Sequence, residues 1–365
     1  MNSQRARVSE LLNQALAKPG SVGALSAPEL DLLIRVARRV RLLGRLAADL
    51  QAANVLEDLP LFAQDQLLSA LVYARARVRI TLWELDRIAW ALSASPPAAM
   101  VTMKGCAYLL LDIKTADTRF IADVDLLLAE NELENVEQQL NEKGWRTRAL
   151  SPYDDNYYRR WTHELPPLVH YERQVEIDLH HNLLPRTARL KPPAAPWLAS
   201  AVSIPGSPFK VLSPPDMVLH AMVHLFFSDE MADKLRDLVD IVDLLAFFAD
   251  ADADFWQAFV SRAEELGLQR PAFYGIRYAK SLLGCEMPGF VEQALESWGP
   301  PMPIWWLMDK LVPRALYPSH PDYPSKSIAI CRWLLFVRSH WIRMPPWLLA
   351  YHLTYKFVRT RFSRK

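Results

Sequence analysis

Asp123 and Asp125 flank a single valine in the run Asp123-Val124-Asp125-Leu126-Leu127-Leu128. On an extended strand successive side chains alternate between faces. Both carboxylates therefore project from one side, with Cα atoms about 6.5–7 Å apart. Two carboxylates held that closely repel each other unless a cation lies between them. Magnesium suits that place, since it takes one or two protein carboxylates and completes its shell with water and phosphate oxygens. Two such ions can activate an attacking oxygen and stabilise a leaving pyrophosphate. A third acidic group would complete the arrangement. Val175-Glu176-Ile177-Asp178-Leu179-His180 offers Glu176, Asp178 and His180 on one face of a second strand. Taken alone, D-x-D also describes the exposed face of any half-buried sheet. The apolar run around this pair, and the repeat of apolar–acidic alternation further along, set it apart.

The elements that must position these carboxylates alternate in type. Residues 99–103 read as a short buried strand running into Lys104-Gly105, and residues 106–113 as a short helix. Residues 122–128 read as a second strand. Residues 132–143 form a helix closed by Gly144, a C-cap signal. Residues 145–150 read as a third strand. Residues 168–171 and 174–180 read as a hairpin turning at Glu172-Arg173. This α+β core occupies residues 98–190. Residues 1–97 are helical: Leu32, Leu33, Val36, Val40, Leu43 and Leu46 recur at helical spacing, and a second pattern over 61–92 stops at Ser93-Ala94-Ser95-Pro96-Pro97. A proline-rich connector follows, from Pro192 to Pro208. Residues 209–300 are helical again, starting at Ser213-Pro214-Pro215, and residues 301–365 form a basic, tryptophan-rich helical tail. The expected fold class is α+β, a small mixed-sheet core flanked by N- and C-terminal helical regions.

Met103-Lys104-Gly105, then Arg119 shortly before the aspartate pair, then Gly144-Trp145, His163-Glu164-Leu165-Pro166-Pro167-Leu168 and Ile177-Asp178-Leu179-His180, stand in an order that resembles the uncharacterised nucleotidyltransferase family of the polymerase-β-like superfamily. The resemblance is strongest over residues 100–185. It implies a nucleotidyltransferase core that moves a nucleoside monophosphate from an NTP to an acceptor, with Mg²⁺ or Mn²⁺. The acceptor is unspecified: a small molecule, a protein or RNA. By the same resemblance Asp123, Asp125 and Asp178 are the metal-binding and catalytic carboxylates. Gly105 lies in the strand-to-helix turn where backbone amides meet the triphosphate. Lys104 contacts a phosphate, and Arg119 either does the same or pairs with the aspartates. Glu176, His180 and His163 are further candidates beside them. Gly105-Cys106 stands where the wider superfamily has Gly-Ser or Gly-Gly. That departure motivates the alternative, a non-catalytic scaffold that keeps the fold and docks near a membrane where cell-surface polymers are made.

Composition bounds the rest. Half of the residues (51%) are hydrophobic and 23% are charged, so the chain is globular rather than disordered. The net charge of +1 gives no overall sign of a nucleic-acid partner. Three scattered cysteines without a C-x-x-C pair suit a reducing compartment and neither a disulfide framework nor a zinc knuckle. Cys106 reads as a small buried thiol rather than a nucleophile. The start of the chain lacks the apolar segment of a signal peptide, which points to the cytoplasm. His220 and His224 have metal-ligand spacing but lack the glutamate of H-E-x-x-H, so the expectation is packing or a place facing the site. Arg236, Asp237, Asp240 and Asp243 read by default as a solvated stripe, with Asp240 as a brace for the core by the resemblance. From residue 323 onward there are nine Lys or Arg and no Asp or Glu, interleaved with Trp333, Trp341 and Trp347. This tail suits packing with basic exposure, a nucleic-acid surface, or a peripheral contact at the inner face of a membrane.

Overall fold

The computed structural model describes residues 2–350 apart from Thr115, Ala149, Gln174 and Asp229. The strand ends expected at Ala149 and Gln174, and the tail past residue 350, lie outside the described residues. Among these residues seven strands form one mixed sheet: β1 (Val101–Thr102), β2 (Asp123–Leu127), β3 (Trp145–Thr147), β4 (Leu168–His170), β5 (Glu176–His180), β6 (Val202–Ser203) and β7 (Lys210–Val211). Their order across the sheet is β3-β4-β5-β2-β1-β7-β6. β2 pairs parallel with β5 and β1 parallel with β7; the other neighbours are antiparallel. The fold class is α+β, as expected.

Periodicity decides which face of the sheet does what. Val124, Leu126, Ile177 and Leu179 point to one side and are fully buried, together with Leu85 and Ile88 of the long helix Leu61–Ala91 and its C-cap Leu92. The other side carries the carboxylates. Over it lie the helices Pro214–Val223 and Leu235–Ala251, whose apolar stripes join Val101, Leu127 and Val211 in a larger core. The first four helices, Asn2–Ala17, Ala27–Arg39, Leu43–Ala52 and the start of Leu61–Ala91, form a third cluster, which also takes in Leu235, Val239 and Tyr317. The helical flanks thus wrap the sheet from both ends of the chain.

Several elements differ from the sequence reading. The helix after β1 is Lys104–Leu110, beginning at the lysine itself. β4 and β5 pair as expected, with Leu168 opposite Ile177, but a longer loop joins them in place of a two-residue turn. The proline-rich connector holds the helix Ala195–Ala199 and β6, and β7 follows at the start of the region expected to be helical, so the sheet extends to Val211. A helix that went unread, Pro152–Trp161, starts where the Ser151 hydroxyl accepts the Asp154 backbone N–H at 3.2 Å. In the tail, helix Lys326–Arg343 turns much of its charge inward. Arg332 pairs with Asp233, and Arg338 lies over the Phe227 and Tyr274 rings. Trp333, Trp341 and Trp347 face outward. No helix among the described residues is long and apolar enough to cross a membrane.

Candidate functional site

The parallel register of β2 and β5 sets Asp125 opposite Asp178, Asp123 opposite Glu176 and Leu127 opposite His180. Three carboxylates expected from two separate segments, and the histidine with them, share one face of adjacent strands. Asp125 is buried at its centre. The Lys104 Nζ donates to Asp125 Oδ1 at 2.7 Å, and His180 Nε2 lies 3.0 Å from the same oxygen. Lys104 comes straight off β1 with φ +49°, a left-handed backbone that a residue with a Cβ adopts at a cost. That turn is what swings its ammonium over the aspartates.

The charges are unevenly settled. Burial opposes ionisation of Asp125, but the Lys104 ammonium and the His180 hydrogen bond overcome it and hold this carboxyl well below the ordinary range. Asp178 has the opposite fate. Burial, then the negative charge of Asp125, push it up to about 8. Its Oδ1 is buried and finds no hydrogen-bond partner. Asp123 is also raised, by burial and then by Asp125. Burial disfavours charge on Lys104 and on His180 too, yet the surrounding carboxylates win and raise both. His163, buried and beside His180, is pushed well below its usual value.

The other candidates fall at different distances from this centre. Gly105 follows Lys104 in the first helical turn. A Cβ there would lie 2.3 Å from Arg119 Nη1 and 2.9 Å from Ile121 Cγ1, so this residue must be glycine for Arg119 to pass. Arg119 does not pair with Asp123 or Asp125. Its Nε donates to Asp240 Oδ2 at 2.9 Å, and its guanidinium lies over the Tyr108 ring. Glu176 is held by Arg148 at 3.0 Å. Cys106 is buried, and its thiol donates toward the Asp123 carbonyl at 3.8 Å. Burial pushes that thiol far up, which fits an inert side chain.

The expected solvated stripe is corrected. Asp237 and Asp240 are buried, each in an ion pair, and Asp243 pairs with Arg45 at 2.8 Å. The stripe is internal because Arg119 and Arg45 reach it from distant segments. His220 and His224 do face the site, on its larger cavity. That cavity, about 580 Å³, lies on the Asp178 side of Lys104 and is lined also by Tyr158, His163, Glu164 and Arg343. A smaller one of about 170 Å³ lies on the Asp123 side, with Arg41, Arg119, Lys234 and Arg236 in its wall. Lys104 and His224 border both. Tyr158 and Arg343 were missed by the sequence reading. The Ser151-Pro152 cap signal would have found the helix of the first, whereas the second reaches the cavity only through long-range packing.

The model of the family described as uncharacterised nucleotidyltransferase matches residues 26–284. The chain belongs to that family. No curated protein and no solved structure matches it. The match runs well beyond the sheet, across the N-terminal helices and the roof helices that carry His220, His224 and Asp240. In this member of the family, then, the Arg119–Asp240 pair and the two histidines lie inside the family's own unit. The tail that supplies Arg343 lies outside it.

Proposed function

We propose that this nucleotidyltransferase moves a nucleoside monophosphate from an NTP to an acceptor hydroxyl or phosphate, with Mg²⁺ or Mn²⁺ held by Asp123, Asp125 and Asp178. The observation that carries this reading is the β2–β5 register, which sets Asp125 against Asp178 with Asp178 Oδ1 left buried and unpartnered. That donor set fits a hard divalent cation. It offers carboxylate oxygens, and their mutual repulsion is what a cation relieves. When bound, the metal supplies neutralisation of the charge that builds on the phosphate oxygens and the leaving pyrophosphate.

The remaining steps belong to the protein's own groups. Asp178, as the carboxylate, accepts the proton of the acceptor hydroxyl. The acceptor oxygen forms its bond to the α-phosphorus. The bond from that phosphorus to the bridging oxygen breaks, and pyrophosphate departs with the electron pair. Lys104 sits beside both cavities and supplies a positive charge to the phosphates. Arg119 stays on Asp240 and fixes the Gly105 turn. The assay is incubation with each labelled NTP and Mg²⁺ or Mn²⁺, followed by pyrophosphate release and label transfer. The double variant Asp123→Ala/Asp125→Ala should be inactive. Undiminished transfer in that variant rejects the metal assignment.

One observation favours a second reading. Lys104 and His180 already neutralise Asp125, as they would in a non-catalytic member that uses the fold for binding. Calorimetry separates the two, since a scaffold of this kind shows no NTP binding with or without metal. The outward-facing Trp333, Trp341 and Trp347 support a peripheral membrane contact for either reading. Equal liposome sedimentation of the full chain and a truncation at Tyr323 rejects it.

A further inference from the structure

A second donor cluster lies beside the carboxylates and plays no part in the proposed transfer. The segment 163–165 runs antiparallel to the end of β5. Leu165 N donates to Leu179 O at 2.9 Å, His181 N donates to His163 O at 2.9 Å, and Glu164 bridges His180. Backbone pairing therefore fixes three side chains against one another. Glu164 Oε2 is 3.4 Å from His180 Nδ1 and 3.8 Å from His163 Nε2. One donor atom from each of the three residues lies within 4.8 Å of the others.

These contacts are close without being satisfied. The His180 side chain is 4% exposed, and its Nδ1 makes no hydrogen bond although it points at Glu164. The Thr162 hydroxyl is directed to the Tyr158 and Glu164 carbonyls, at 2.7 and 2.6 Å, and not to the Glu164 carboxylate. The other ring nitrogen of His180 is bound to Asp125. That is the arrangement of a metal-binding histidine, whose far nitrogen is oriented by a carboxylate. Metal bonds of about 2.0–2.2 Å set neighbouring donors roughly 3.3–3.5 Å apart, close to the separations here.

We propose that His163, Glu164 and His180 form a binding site for a transition-metal ion of the Zn²⁺ class, separate from the Mg²⁺ carboxylates. Two imidazoles and one carboxylate are borderline donors, which select such ions over Mg²⁺. Three protein ligands leave coordination positions open, as in sites that act on a bound molecule rather than closed structural ones. His163, Glu164 and His180 all line the 580 Å³ cavity, so the open positions face it. The ion would there take an oxygen of a water or of an anionic group on the incoming acceptor. The site shares Asp125, the partner of His180, with the carboxylate centre, and its role toward the acceptor rests on the transferase reading.

The test uses the full chain stripped with a chelator and titrated with Co²⁺ alone. The expected result is one ion per chain, with visible d–d absorption of a four- or five-coordinate site. Zn²⁺ should displace it and Mg²⁺ should not. His163→Ala and Glu164→Gln should each weaken Co²⁺ at least tenfold, while Asp123→Asn changes its affinity less than twofold and abolishes nucleotidyl transfer. X-ray absorption of the wild-type Co²⁺ or Zn²⁺ complex should show two imidazoles, which keeps the proposal testable if a variant misfolds. Absence of stoichiometric binding, a spectrum without imidazole ligation, or equal affinity in the folded His163→Ala and Glu164→Gln variants overturns it. Failure of transfer with Co²⁺ binding intact would count against the transferase reading alone.

Discussion

Asp216, in the first turn of helix Pro214–Val223, and Asp178, in the middle of β5, both hold carboxylate oxygens away from solvent, and they are treated in opposite ways. Asp216 is fully buried and fully answered. Arg262 donates to its two oxygens at 2.7 and 2.9 Å, and the Ser200 hydroxyl donates at 2.6 Å. Glu84 and Arg173 repeat the pattern, with contacts of 2.8 and 3.1 Å. Asp178 instead faces another carboxylate, keeps an oxygen without a partner, and is raised to about 8. A buried charge closed by a forked arginine is compensated where it sits and does no chemistry. A buried charge left facing its like is unstable by itself and becomes useful when a cation or a proton arrives. The fold evidently can satisfy buried acids, so the frustration at Asp178 is local to the site.

Substitutions should separate the two kinds of acid. Asp125→Asn is expected to lower transfer by roughly 10³-fold or more, the scale of losing a charge-stabilising group at a reacting phosphate, read by pyrophosphate release at saturating NTP. Asp216→Ala should strip Arg262 and Ser200 of their buried acceptor and leave Arg262 to Glu265, costing about 1–3 kcal/mol in chemical denaturation, with the activity of the folded fraction intact. If Asp125→Asn proves as destabilising as Asp216→Ala and no less active per folded molecule, the contrast collapses. Asp178→Asn sharpens it further. Transfer should fall about 10²–10⁴-fold, the usual worth of a general base. The metal-free protein should gain stability at pH 8, by up to several kcal/mol, since burial and the Asp125 charge raise Asp178 from 3.8 to about 8 and each pKa unit is about 1.4 kcal/mol. A buried acid that is purely structural cannot give that gain.

How much of this was readable in advance follows the range of the interactions. Alternation placed Asp123 and Asp125 on one face, and Glu176, Asp178 and His180 on one face, because period two is local. Motif order showed the family. That β2 and β5 are neighbours in parallel register is a pairing over a crossover, which no local pattern encodes. The roof was misread for a similar reason. Asp237, Asp240 and Asp243 recur at helical spacing like any exposed face, and only the arrival of Arg119 and Arg45 from distant segments makes them internal. Arg343 and the 202–211 strands depend on tertiary packing in the same way, whereas the helix after Ser151 carried a local cap signal that could have been read.

Gly105 ties the satisfied and the frustrated acids together, since its missing Cβ lets Arg119 reach Asp240 within the turn that also aims Lys104. Gly105→Ala should push Arg119 and Ile121 aside at a cost of about 1–3 kcal/mol, the range for overpacking, visible in urea denaturation. Transfer should fall with it, because the Lys104 turn shifts. Stability unchanged in Gly105→Ala would show that Arg119 yields freely and that the pair with Asp240 is loose.

The smallest effect is the pH dependence, and its sign is fixed. Asp178 ionises at about 8 when folded, against 3.8 for the free group. Between those values the folded chain keeps a proton that the unfolded chain releases, so this group withdraws stability as pH rises through the window. The His180 pKa is raised as well, so its contribution is present below its unfolded value and is also lost on going up. Asp125, held low, gives stability lost only at acid pH below the window. The difference in melting temperature between wild type and Asp178→Asn, without metal, should therefore decline by a few degrees from pH 5 to pH 8. Millimolar Mg²⁺ binds the ionised form and should cancel that decline, with a stabilisation that grows toward pH 8 and then levels off. A Mg²⁺ effect that is flat across the window, or largest at pH 5, would mean that Asp178 is as well satisfied as Asp216.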